Sequence, residues 1–305
     1  YAVFPGYRMI VRTGAVDVRT NYKGASIKLD GKTVATADSD DFRASVGPLV
    51  PGDYTLAAEY AGDYTTLRAE KAVSVDGGAP IVEVDLSLNG EMITVDANYA
   101  GAAIFIDGHD TGAVTGGGDS LGPVALDGSN LVHVEKEFPW GTVKSAQVPI
   151  NDGAMHLQLN PSTDAFKESV MDAVAGFLQG WMDAYGKLDP SVARNLSEDR
   201  RAILASGIED YRAYGLQYEG RLLRQLFDTD SIYVQTGEKG EYRTAVSVKN
   251  TYSERSYANG EAPPPASQVT DTMTYRLAYR DGKWIVTDWY EEFNFNGAHT
   301  KEKRY

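Results

Sequence analysis

An internal repeat constrains this chain more than any other feature. The segment Val16–Gly31, VDVRTNYKGASIKLDG, returns as Ile93–Gly108, ITVDANYAGAAIFIDG. The agreement continues downstream with small gaps. Gly47-Pro48-Leu49 answers Gly122-Pro123-Val124, Gly52 answers Gly128, Leu56-Ala57-Ala58-Glu59 answers Val132-His133-Val134-Glu135, and Tyr64 answers Trp140. Self-similarity of this kind marks one small structural unit copied in tandem. Two copies are expected, at 15–86 and 89–160. The opening Phe4-Pro5-Gly6-Tyr7 resembles Val50-Pro51-Gly52-Asp53-Tyr54, so residues 1–14 read as the tail of a preceding segment or repeat.

Each copy reads as β. Val16 and Val18, Ile27 and Leu29, and Leu56, Ala58 and Tyr60 alternate with polar residues at period two, the spacing of a half-buried strand. Asp30-Gly31 and Asp107-Gly108 are the residue pairs that a two-residue type I′ hairpin turn requires. Four or five short strands joined by Gly/Pro turns, with no helical stretch, predict a small sandwich.

After Asn160-Pro161 the pattern changes. Phe166, Val170, Val174, Phe177, Trp181 and Tyr185 recur at helical spacing, with Ser162, Thr163 or Asp164 as N-cap and Asp189-Pro190 beyond the end. A second helical zone runs from about Asp199 to Tyr214. Strand-like segments follow at Leu222–Phe227, Ser231–Thr236, Tyr242–Tyr257, Val269–Arg280 and Lys283–Phe295, the last two joined by an Asp281-Gly282 turn. Pro263-Pro264-Pro265 marks an extended loop, and Lys301-Glu302-Lys303-Arg304 reads as a frayed polar tail. Helices followed by a long antiparallel sheet predict an α+β domain at 162–305. The fold class is thus multidomain: tandem small all-β sandwich repeats followed by an α+β domain.

Composition excludes several function classes. The 305 residues contain no cysteine, so no disulfide framework, thiolate metal site or cysteine nucleophile exists. The formal net charge of −14 disfavours nucleic acid, whose phosphates are gripped by clustered Lys and Arg. No apolar run approaches a membrane span and no signal peptide opens the chain. The chain begins at Tyr1 in mid-pattern, which reads as the excised soluble part of a longer protein. The charge is uneven: residues 1–160 hold 11 basic and 21 acidic side chains, and residues 161–305 hold 18 and 22.

The tandem NYKGASIKLDGK and NYAGAAIFIDGH segments, the strand VPGDYTLAAEY and the ending YRLAYRDGKWIVTDWYEEFNF resemble the extracytoplasmic region of the teicoplanin-resistance-associated membrane protein family (TcaA-like) of Gram-positive bacteria. The last segment is similar to the NTF2-like fold, in which helices pack into the concave side of a curved antiparallel sheet. The resemblance implies a cytoplasmic zinc-ribbon segment and one membrane-spanning helix, both missing from these residues. It also implies a place on the outer face of the cell membrane, contact with cell-wall polymers and an influence on glycopeptide susceptibility. It supplies no catalytic motif and no cofactor.

The residues themselves offer few sites of chemistry. His109, His133, His156 and His299 have no paired metal-ligand spacing, and His133, between Val132 and Val134, reads as an outward strand residue. Gly116-Gly117-Gly118 lacks the Lys and Ser/Thr of a phosphate loop. Asp38-Ser39-Asp40-Asp41 fails the EF-hand pattern and reads as a solvated acidic loop. No catalytic or metal residue is assigned. Along the last strand, Trp284, Val286, Asp288, Tyr290 and Glu292 share one face, while Ile285, Thr287, Trp289, Glu291, Phe293 and Phe295 share the other; the second is the more apolar and is expected to meet the helices, with Asp288 pointing outward and Glu291 near a rim. Trp181, Tyr185, Tyr211 and Trp289 are candidates to line a cavity, or else ordinary core. For an anionic wall polymer such as a teichoic acid, or another envelope component, the candidate ligand-binding residues are Arg194, Arg200, Arg201, Arg221 and Arg224, because guanidinium forks suit phosphate oxygens. Ion pairing with Glu198, Asp199, Glu209 and Asp210 is the competing role. The leading expectation is a non-enzymatic β-repeat stalk presenting a recognition domain. The alternatives are an NTF2-like enzyme or small-molecule binder, and a protein-protein module or homo-oligomer built through the convex sheet face or strand edges.

Overall fold

The computed structural model describes residues 10–78, 81–237, 240–293 and 295–305. Most of the expected leading tail, residues 1–9, lies outside them. The chain divides into two compact units, Tyr1–Lys136 with Lys144–Leu159, and Glu137–Val143 with Asn160–Tyr305.

In the first unit, repeat 1 comprises β1 (Gly14–Thr20), β2 (Ser26–Leu29), β3 (Lys32–Thr36), β4 (Phe42–Leu49), β5 (Gly52–Ala61), β6 (Thr66–Val75) and β7 (Val82–Asp85). Repeat 2 comprises β8 (Glu91–Ala97), β9 (Ala103–Ile106), β10 (His109–Val114), β11 (Ser120–Val124), β12 (Leu131–Phe138), β13 (Gly141–Lys144), β14 (Val148–Pro149) and β15 (Ala154–Leu157). Repeat 1 stacks the sheets β4-β1-β7 and β3-β2-β5-β6, and repeat 2 matches them with β11-β8-β15 and β10-β9-β12-β13. The alternation dictates the core: Val16, Val18, Ile27, Leu56 and Ala58 are buried together in repeat 1. Asp30 and Gly31 have φ of 46° and 79°, and Asp107 and Gly108 have 48° and 79°, the two consecutive positive values of a type I′ turn.

Each copy holds more strands than the expected four or five. The extra closing strands β7 and β15 run parallel to β1 and β8, a crossover pairing that no local turn announces. An asparagine seals each closure. Asn21 Nδ2 donates to Leu88 O while Leu88 N–H donates to Asn21 Oδ1, and Asn98 makes the same pair of bonds with Leu159. The repeats also touch each other: Tyr22 Oη donates to Gly90 O at 2.7 Å, and Asn130 Nδ2 to Thr65 Oγ1 at 2.7 Å. His133 corrects one expectation. It alternates against Val132 and Val134, but it is buried, stacked on Phe105 at 5.0 Å with Nε2 3.0 Å from Glu135 Oε1. Its neighbours across the sheet cover the ring.

The second unit contains α1 (Asp164–Lys187), a 3-10 turn at Pro190–Val192, α2 (Glu198–Ala213), β16 (Leu216–Asp228), β17 (Gln235–Thr236), β18 (Tyr242–Ala258), β19 (Ser267–Arg280), β20 (Lys283–Glu291) and β21 (Thr300–Arg304). Thr163 caps α1 by accepting from Phe166 N–H at 3.2 Å. The sheet order is β20-β19-β18-β16-β21, with β17 on β18. The apolar stripe of α1, with Phe166, Val170, Val174 and Phe177, packs on Val246, Val248, Tyr275, Leu277, Trp284 and Val286 of the sheet. Trp140 joins this core, 4.9 Å from Phe166 and 5.8 Å from Trp284.

Two expectations for this unit are corrected. Trp284 and Val286, assigned to the outer face of the last strand, are buried against α1, and so is the expected inward Trp289 in part. A bulge explains this. Leu277 pairs with Val286 while Arg276 pairs with Asp288, so Thr287 is the extra residue and the in-out alternation resets there. The polar ending is not frayed either. Residues 300–304 form β21, paired antiparallel with Arg224–Asp228, with Lys301 and Lys303 both bonded to Glu168 of α1. Charged side chains on an edge strand suppress unwanted pairing, and the same charges disguise the strand in sequence.

Candidate functional site

The concave side of the sheet is where this fold gathers polar and aromatic groups. The period of α1 carries Phe177, Trp181 and Tyr185 along one flank, and β20 delivers Trp289 opposite them. The Trp181 and Trp289 rings are 5.3 Å apart and edge-on, Trp181 lies 6.0 Å from Tyr185, and Tyr185 meets Tyr211 of α2 at 4.9 Å, again edge-on. The four candidate cavity aromatics are therefore contiguous, in the edge and tilted geometries that ring quadrupoles favour. Trp181, Tyr185 and Trp289 also pack against the buried core. Arg200 of α2 covers this cluster, its guanidinium carbon 5.4 Å from the Trp289 centroid.

Beyond the rings runs a chain of hydrogen bonds across β16, β18 and β19. Tyr305 Oη donates to Gln225 Oε1 at 2.8 Å, Gln225 Nε2 to Asn250 Oδ1 at 2.9 Å, and Asn250 Nδ2 to Asp271 Oδ1 at 2.8 Å and Tyr275 Oη at 3.0 Å. Tyr252 Oη donates to Asp271 Oδ2 at 3.1 Å, and Tyr218 Oη to Glu254 Oε2 at 3.0 Å. Burial, reinforced by the adjacent carboxylates, pushes the Tyr218 and Tyr252 phenols above their usual range, and burial does the same to Tyr275. The phenols stay protonated, Tyr218 and Tyr252 as donors to the carboxylates and Tyr275 as the acceptor from Asn250. Glu254 and Asp271 are consequently acceptors in fixed bonds, whereas a general base must reach a substrate proton.

The candidate arginines fall on separate elements. Arg200 pairs with Asp288 and donates to Thr287 O at 3.3 Å, and Arg201 donates to Pro190 O at 2.9 Å and Ala193 O at 3.1 Å. Arg194 is exposed just after the 3-10 turn. Arg221 and Arg224 lie on β16, where a bulge between Leu222 and Arg224 keeps both exposed. Arg224 bonds Glu302 at 2.9 Å. Arg212, at the end of α2, pairs with Glu209.

Three more arginines, not singled out from sequence, come together on the opposite face of the sheet. Arg243 of β18 and Arg276 and Arg280 of β19 line one groove with Tyr233 and Tyr290. They stand on strands far apart in the chain, so only the pairing register reveals them. Among the described residues, no group of three or more His, Cys, Asp or Glu is placed to hold a metal, and no helix is long and apolar enough to cross a membrane.

Comparison with known proteins adds to this picture. Residues 89–161 match the family model of the TcaA protein 3rd/4th domain, and residues 170–290 match that of the YvbJ NTF2-like domain. The chain is 26% identical over 308 aligned residues to the uncharacterized membrane protein YvbJ of Bacillus subtilis (strain 168), covering 99% of this chain and 50% of that protein. It thus spans about half the length of that relative. Among solved structures, the intermembrane-space region of the chloroplast protein ARC6 aligns with a TM-score of 0.33 and 18% identity, over 41% of this chain and 95% of that one. The β repeats, the α+β domain with its helices on a curved sheet, and the two family matches together support a TcaA/YvbJ-like family for this chain, with an NTF2-like domain at residues 170–290.

Proposed function

We propose that this chain is the non-enzymatic, extracytoplasmic part of a single-pass envelope protein, in which β repeats hold the NTF2-like domain away from the membrane and that domain binds an anionic cell-wall component. Influence on glycopeptide susceptibility follows from occupancy of the wall. The observation that carries the reading is the state of the concave face: its aromatic rings pack on one another and its carboxylates, Glu254 and Asp271, are already bonded to phenols. Recognition then belongs to the exposed surface. Charge supports the division of labour, since the repeats carry most of the negative excess and repel a polyanion, whereas the second half of the chain is nearly balanced. The exposed Arg194 and Arg221 serve there as supporting contacts.

The test is retention on cell-wall sacculi with and without their anionic polymer. Because Glu137–Val143 clusters with the second unit, the fair comparison is between residues 89–305 and residues 10–160. Retention of the first alone, lost on stripped sacculi, is the expected result. Equal retention of both pieces, or of neither, refutes the assignment. Turnover of a small molecule by the full chain, abolished by Asp271→Asn, would instead establish the enzymatic alternative.

A further inference from the structure

The groove on the outer sheet face has a volume of about 590 Å³, and its lining holds three arginines and no carboxylate. In a chain with a net charge of −14 this is an anomaly that folding alone does not require. The pairing register sets its geometry. Arg243 stands opposite Ala278, so Arg276 and Arg280, two residues to either side of Ala278, are both diagonal to Arg243. Diagonal neighbours in an antiparallel sheet are about 7–8 Å apart, and positions four residues apart along a strand are separated by roughly 13–14 Å. The result is a staggered row of three cations with Arg243 in the middle. Ala245 and Ala278 supply small side chains between them and leave the groove open.

The neighbouring carboxylates only partly engage these cations. Glu241 pairs with Arg243. Asp288 is bonded to Arg200 and lies 3.9 Å from Arg276, whose guanidinium carbon sits 5.1 Å above the Tyr290 ring. Arg280, beside the exposed Asp281 of the turn, has no ion pair or hydrogen bond from its side chain among the described residues. Tyr233 and Tyr290, exposed by 51% and 43%, offer ring faces at the groove for the carbon skeleton of a ligand.

We propose that this groove binds a chain of repeated phosphodiester charges, with Arg276, Arg243 and Arg280 engaging successive phosphates and Tyr233 and Tyr290 contacting the linking units. A single anion meets one or two of these guanidinium forks, whereas a chain meets all three, and Arg presents its donors in the fork geometry that phosphate oxygens accept. The proposal rests on the reading of this domain as a wall-binding module and assigns its ligand class and residues.

The test uses the full chain and calorimetric titration with inorganic phosphate, a short and a long glycerol-phosphate oligomer, and a polyuronate as the carboxylate counterpart. The long oligomer is expected to bind at least tenfold more tightly than phosphate or the polyuronate. Arg276→Gln and Arg280→Gln each weaken it about tenfold, and each flattens the dependence of log K on log salt by roughly one. Arg280→Lys restores part of the affinity, and unchanged urea midpoints show that the variants are folded. Oligomer binding that survives both Gln substitutions, or that is no tighter than phosphate or the polyuronate, overturns the assignment. Retention of the chain on sacculi without oligomer binding sinks this ligand class while leaving the wall-binding reading intact. Oligomer binding through the groove without retention on sacculi supports the groove and removes the wall-binding reading.

Discussion

Replacing Asn250 by Leu tests whether the polar chain across the concave face holds the NTF2-like domain together. Asn250 is fully buried and shares the branched four-heavy-atom side-chain skeleton of Leu, so the bulkier Leu leaves no cavity and the change acts chiefly through the hydrogen bonds. Three are lost: the bond accepted from Gln225 and those donated to Asp271 and Tyr275. Gln225, also fully buried, keeps its bond from Tyr305 but is left with an unpartnered amide N–H. Asp271 keeps only its Tyr252 donor on the sheet. An unsatisfied buried group costs about 1–3 kcal/mol and a bond to a charged group is worth about 1.5–3 kcal/mol. Allowing for overlap, the loss is about 3–5 kcal/mol, equivalent to a fall in Tm of roughly 6–20 °C for a domain of this size. Tryptophan emission in a urea titration reads this unit alone, because all four tryptophans, at 140, 181, 284 and 289, lie in it. A loss below about 1 kcal/mol would refute the reasoning, since Gln225 and Tyr275 would then have found other partners.

Glu168→Gln should lower stability modestly, by under about 1 kcal/mol, because the carboxylate is part-exposed and its pairs with Lys301 and Lys303 are screened. The bonds from Lys301 and Lys303 hold the Glu168 carboxyl below the usual range, so its contribution is present above the unfolded-state pKa and lost as pH falls through the folded-state value. Urea midpoints of wild type and variant should therefore differ at neutral pH and converge in acid; a difference that grows in acid contradicts the sign. Gly90→Ala tests the junction of the repeats, where a Cβ would sit 2.4 Å from Leu67 Cδ1 and 2.7 Å from Tyr22 Oη. It should destabilise the first unit by about 1–3 kcal/mol, visible in the β signal of circular dichroism, while the tryptophan transition of the second unit stays in place.

Much of this architecture is legible in the residues. Val16, Val18, Ile27 and Leu56 declare their strands by alternation, Asp30-Gly31 and Asp107-Gly108 declare their turns, and the stripe from Phe166 to Tyr185 declares α1, leaving Ser162, Thr163 or Asp164 as its cap until the structure selects Thr163. What escapes is whatever depends on register rather than on local pattern. The bulge at Thr287 reverses the faces of β20, so Trp284 and Val286 turn inward against the reading from simple parity. The charges of Lys301 and Lys303, which look like a solvated tail, are bonded to α1. The groove is the largest omission. Arg243, Arg276 and Arg280 are unremarkable in sequence and become a row only when β18 pairs with β19, whereas Arg200 and Arg201, adjacent on a helix, draw attention and turn out to bond Asp288 and backbone carbonyls.

The central claim is that the NTF2-like domain, not the repeats and not a catalytic pocket, performs recognition. Its most direct test is the binding of the full chain to intact and polymer-stripped sacculi across a salt series. Binding to intact sacculi is expected to weaken steeply with salt, as exposed arginine contacts require, with little binding to stripped ones. Equal, salt-independent binding to both would contradict it.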